Sequence, residues 1–227
     1  MKTTHSNVGL LNVLFVPGAS GTFLANILAR AITDPWNSGY YPRTPNKLYE
    51  VTNEFINEYN HIAMTWHPFD LSNTDERFEL QGVKWINILV TKENAKFTNI
   101  MATIKRQDYS GITKQDILDR LYADEIFEYN ETIARQGMVA DMLRANNDVL
   151  DVHWSDIFEH GDESVILSMI NHLYRGEYKA YDTITNISNH LVEYHKTNIA
   201  MYNELKYKPD EVIDNILNVA KEFREES

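Results

Sequence analysis

Residues 15–28 read FVPGASGTFLANIL. An apolar run ends at Pro17, five small residues follow (Gly18, Ala19, Ser20, Gly21 and Thr22), and the pattern then turns helical at Phe23. Glycines let a backbone approach a ligand closely, and the first amides of a helix point at whatever lies in front of it. With the Ser20 and Thr22 hydroxyls added, the chemistry on offer is the holding of a phosphate. The nucleotide-triphosphatase pattern G-x-x-x-x-G-K-[ST] is not met, because Gly21 follows Gly18 after two residues and no lysine follows it. The dinucleotide pattern G-x-G-x-x-G fails as well. The bland alternative is a tight strand-to-helix turn with Ser20 as N-cap.

The second reactive candidate is His67, which follows an apolar run and precedes Pro68. A neutral imidazole there could take a proton from an acceptor hydroxyl, or it could simply bond to nearby backbone. The other histidines do not assemble a metal site by spacing. His190 and His195 are five apart, and His153 and His160 straddle a loop. Asp156 reads as a structural carboxylate at a strand end, and Trp154 as core rather than a stacking surface for a base. Arg175 with Gly176 reads as a phosphate contact or as a helix end. Gly18-x-Ser20-Gly21 is not G-x-S-x-G, and no serine-histidine-acid set is visible.

The elements that must position these residues follow from periodicity. Strands are expected over Asn12–Val16, His61–Trp66, Val83–Val90 and Asp148–Trp154. A helix is expected over Ser20–Ile32, with Phe23, Ile27, Leu28 and Ile32 on its apolar side, and another over Ala95–Lys105. Thr113–Asn146 reads as helical throughout, with Thr113 and Asp116 as its start signal. An amphipathic helix places Val165, Ile166, Met169, Ile170 and Leu173 on one face. Two more helices are expected over Ile184–Leu205 and Pro209–Phe223. Asp34–Asn46 carries three prolines and reads as a loop over the site. Alternating strands and helices predict an α/β fold with a mainly parallel sheet, and ligands then sit at the strand carboxyl ends. Three marked loops follow expected strands there: Pro17–Thr22, His67–Phe69 and Thr91–Lys96.

In chain order, PGASGTFL (Pro17–Leu24), AMTWHPFDL (Ala63–Leu71) and LDVHWSDIFEHGDESVILSMINHL (Leu150–Leu173) resemble segments of the sulfotransferases. The first is similar to that family's P-x-S-G-T-T loop, with Ser20, Gly21 and Thr22 matching. The second is similar to its T-H-x-P segment, and in the third Trp154-Ser155-Asp156-Ile157 stands in for Y-E-D-L. Ala19 occupies the position where many members carry a lysine. Where the family has an arginine and, eight residues on, a serine, LVTKENAKFTNIM offers Thr91 with Asn99 or Lys92 with Ile100.

The resemblance implies one P-loop-type α/β domain over residues 1–227, helix-rich toward its C-terminal part. It implies sulfuryl transfer from 3′-phosphoadenosine 5′-phosphosulfate to a hydroxyl or amine of a small molecule or glycan, with no metal. The 5′-phosphosulfate end would lie on Gly18, Ala19, Ser20, Gly21, Thr22 and Phe23. Lys92, Lys96 and Asn99 would serve the remaining charge, and His67 would act as base. Two other readings stay open: a kinase-like nucleotide enzyme, which needs a loop lysine and a magnesium carboxylate, and a catalytically silent binding or assembly protein on the same fold.

The chain has 227 residues and a net charge of −12. That balance argues against broad binding to nucleic acid or anionic membranes. It has no cysteine, so disulfides and thiolate metal sites are excluded. The N-terminal apolar run reads as a buried strand rather than a signal peptide, no run approaches a membrane span, and a cytoplasmic location is the expectation.

Overall fold

The computed structural model describes residues 9–32, 39–40, 61–66, 84–104, 113–123, 127–145, 147–173 and 183–225. The short apolar runs become strands: β1 (Gly9–Leu14), β3 (His61–Trp66), β4 (Lys84–Leu89) and β5 (Asp148–His153). A two-residue strand, β2 (Gly39–Tyr40), lies inside the segment read as a loop and pairs with Ile62 and Ala63 of β3. The five described strands form one parallel sheet in the order β2-β3-β1-β4-β5. Both neighbours of β1 are in register with its end, Leu14 lying opposite Trp66 on one side and Asn87 on the other.

This order decides where a ligand can sit. The chain leaves β1 toward β2 and β3 on one side, and leaves β4 toward β5 on the other. β1 and β4 are adjacent, so the sheet has its topological switch point between them. The segments after Leu14 and after Leu89 flank that point.

Among the described residues the helices are α1 (Gly21–Ile32), α2 (Lys92–Ile104), α3 (Lys114–Tyr122), α4 (Phe127–Arg144), α5 (Trp154–Phe158), α6 (Glu163–Leu173), α7 (Ile184–Tyr207) and α8 (Pro209–Glu225). The expectation of one helical stretch from Thr113 to Asn146 is corrected. The Ala123 N–H makes the last helical bond of α3, to Asp119 O, and Ala123 itself is extended at ψ 137°. The capping box at Thr113 is present: its hydroxyl accepts from the Asp116 N–H at 3.2 Å, and Asp116 accepts from the Thr113 N–H at 2.7 Å.

Alternation along the strands gives the sheet two covered faces. Val13, Ile86, Ile88 and Val152 belong to one cluster with Leu24, Ala25 and Leu28 of α1 and Ile166, Met169 and Ile170 of α6. In α1 the buried stripe is therefore centred on Leu24 and Leu28, and Phe23 and Ile27 flank it half-buried. The opposite face carries Asn87, whose side-chain oxygen accepts from Gln136 of α4 at 2.6 Å. Gln136 also donates to Ile88 O at 2.8 Å, and Asn87 donates to Asp151 of β5 at 2.8 Å. α4 is thus held to the sheet by buried hydrogen bonds as well as by Val139, Ala140 and Leu143.

Candidate functional site

The turn out of β1 follows from its sequence. The Ala19 N–H donates to Val16 O at 3.1 Å, and Gly18 has φ +88°. With Pro17 second and Gly18 third, this is a type II β-turn: proline presets its own φ, and only glycine takes the third position cheaply. Ala19 is fully buried and its N–H is engaged. A lysine at that position would point into the core, and the Ala19 amide is taken up by the turn. Gly21 is demanded by packing, because a Cβ there would stand 2.1 Å from the Phe15 ring. Ser20 is left-handed at φ +61°, which rules out the ordinary N-cap geometry that the turn reading assigned to it.

The start of α1 differs from the starts of α2, α3, α6 and α7. Thr91 accepts from Asn94 N–H at α2, Thr113 and Thr183 cap α3 and α7, and Asp162 accepts from Ser164 and Val165 N–H at α6. α1 has no acidic residue in its first turn. Its first helical bond runs from Leu24 N–H to Ser20 O, so the amides of Gly21, Thr22 and Phe23 stand ahead of the helical ladder. Ser20 Oγ turns instead to Gly18 O and to the Tyr194 hydroxyl, each at 3.5 Å. Thr22 is exposed beside these amides.

No protein-family model matches the chain, and no curated protein matches it.

Helix α7 supplies the wall that sequence reading did not assign. The Tyr194 ring stacks on Phe23 at 3.8 Å between centroids. The next residue, His195, is buried edge-on against Trp154 at 4.9 Å and Phe97 at 5.5 Å. Burial holds the His195 imidazole below its ordinary value, and among the described residues its Nδ1 has no hydrogen-bond partner. Trp154 is 3% exposed and packs on Phe97 and Phe158, as a core residue. The signal was present in the sequence: Ile187, Leu191, Tyr194, Asn198, Tyr202 and Leu205 recur at helical spacing and mark the inward side of α7.

The second expected motif lies on α2. Lys92 is its first residue, and Lys96 is half-buried one turn on. Asn99 is buried, and its side-chain oxygen accepts from Arg120 of α3 at 3.1 Å. An arginine therefore does meet this motif, but it arrives from another helix rather than from the position where the family pattern has one. Asp156 sits in the first turn of α5, where its carbonyl accepts from Asp162 N–H at 2.8 Å. His67, Pro68, Phe69, Arg175 and Gly176 lie outside the described residues. Among the described residues no group of three or more histidine and carboxylate side chains is arranged to hold a metal ion. No helix among them is long and apolar enough to cross a membrane.

Proposed function

We propose that the protein is sulfotransferase-like, of the P-loop type, and transfers a sulfuryl group from 3′-phosphoadenosine 5′-phosphosulfate to a hydroxyl or amine of a small molecule or glycan. The observation that carries this reading is the start of α1, which has no first-turn acid and no capping side chain among the described residues, and which lies at the switch point of a parallel sheet. Such a terminus favours an anion. The amides of Gly21, Thr22 and Phe23 would hold the 5′-phosphosulfate end, with the hydroxyls of Ser20 and Thr22 beside them. Lys92, Lys96 and the Arg120–Asn99 pair would serve the 3′-phosphate, and His67 would take the acceptor's proton. Catalysis on this reading is positioning plus electrostatic stabilisation of the leaving phosphate.

A specific observation favours a second reading, a silent binding protein on the same fold. The residue at the lysine position is buried alanine, and its amide is engaged in the turn. Thermal shift separates the alternatives. The transferase reading expects stabilisation by 3′-phosphoadenosine 5′-phosphate in chelator, together with release of that nucleotide from the sulfated donor over a panel of hydroxyl and amine acceptors. Stabilisation without turnover selects the binding protein. Stabilisation only by ATP with magnesium selects a kinase-like enzyme and overturns both.

A further inference from the structure

Two buried polar atoms are left over where α7 crosses the molecule. Among the described residues, His195 Nδ1 and Trp154 Nε1 have no hydrogen-bond partner, and both side chains are buried. They belong to one ring cluster. The His195 ring stands edge-on to Trp154 of α5 and to Phe97 of α2, and Phe97 in turn meets Tyr202 at 5.2 Å. A buried polar group without a partner costs stability, and its presence calls for a reason.

A charge on this imidazole would have nothing to pair with. Phe97 and Trp154 face it from α2 and α5. One turn away on α7 itself stand Leu191, Val192, Asn198 and Ile199, none of them titratable. The titratable groups flanking the cluster are Tyr202 on α7, Lys96 on α2, Asp156 on α5 and the exposed His153 just before it. The Tyr202 phenol is raised by burial and so stays uncharged. None of these groups sets the state of His195, because burial alone lowers it. The adjacent residue is the one that reaches the candidate site. Tyr194 stacks on Phe23 at 3.8 Å, and its hydroxyl lies 3.5 Å from Ser20 Oγ. Consecutive residues of one helix move together, so what unseats His195 also unseats Tyr194.

We propose that α7 closes over the start of α1 through an acid-sensitive latch, with His195 as its titrating group. Uncharged, the imidazole seats between Trp154 and Phe97, and Tyr194 walls the turn out of β1. Protonated, it must carry its charge to water, because the ring cluster holds no carboxylate to receive it. α7 then opens locally, and Tyr194 leaves Phe23 and Ser20. The closed form takes up the proton less readily than the open form, so opening gains as the pH falls below the ordinary value of 6.5. The latch belongs to the unliganded chain and holds whichever anion the start of α1 receives.

Native-state hydrogen exchange, read by NMR on the unliganded full chain, tests this. From about pH 7.5 to about pH 5.5, with intrinsic rates corrected, the amides of residues 191–198 should lose protection. The Leu24 amide, bonded to Ser20 O, should lose it in step. For one proton, one pH unit below 6.5, the loss is at most about tenfold. The amides of β4 should keep their protection. His153→Gln should behave as the parent does. His195→Phe and His195→Gln should show no loss, and His195→Gln decides if the larger ring does not pack. Protection that is unchanged by pH in the parent overturns the proposal. So does a loss in α7 that Leu24 does not share, a loss that β4 shares equally, or a response that survives the replacement of His195.

Discussion

Phe15 lies where a side chain on Gly21 would have to go. Gly21→Val should therefore act on the fold itself, by overpacking, and cost about 1–3 kcal/mol. Urea denaturation measures it, and a variant as stable as the parent would show that the Phe15 ring can move aside. His195 gives a second prediction at this scale. Its imidazole is held below its ordinary value of 6.5 by burial, so the folded chain binds its proton less readily than the unfolded chain. The stability from keeping it neutral is present above pH 6.5 and is lost as the pH falls below it. The drop in urea midpoint from pH 7.5 to about pH 5.5 should be smaller in His195→Leu than in the parent. Equal drops in both proteins would place the acid-sensitive group elsewhere.

Between the elements, the contact of α4 with the sheet is the most sensitive joint. Gln136 satisfies Asn87 Oδ1 and Ile88 O together, and Gln136→Leu would leave both buried acceptors without that donor. A loss of about 1–3 kcal/mol in chemical denaturation is expected, and a neutral result would mean that the apolar contacts of Val139 and Leu143 suffice. At α3, Thr113→Ala removes the cap and should cost about 1 kcal/mol. These elements also mark what was legible in the sequence. His61–Trp66 was legible to the residue, because a short, largely apolar run stopped by His67-Pro68 reads as a strand. α6 and its buried face were equally plain, from spacing alone. The two-residue β2 was hidden, because two residues carry no period and pairing with β3 creates the strand. The break after Tyr122 was hidden too, since LYADEIFEY contains neither proline nor glycine. The first loop was visible as a turn into a helix. The engagement of the Ala19 amide, the Phe15 ring under Gly21 and Tyr194 on Phe23 were not, because each depends on residues brought together by folding.

Over the whole molecule, the strand order brings the turn out of β1 and the start of α2 to one edge of the sheet, and α7 packs across the first of them. The central claim is that the start of α1 receives an anionic group. Isothermal titration of the chain with 3′-phosphoadenosine 5′-phosphate in chelator, beside Thr22→Asp, tests it most directly. An aspartate in the first turn suits the helix dipole, so the variant keeps its fold while its carboxylate repels a bound anion. The account predicts saturable binding by the parent and affinity weaker by at least about tenfold in Thr22→Asp, with the same melting temperature. Absence of binding by the parent, or equal affinity in the two proteins, would contradict it.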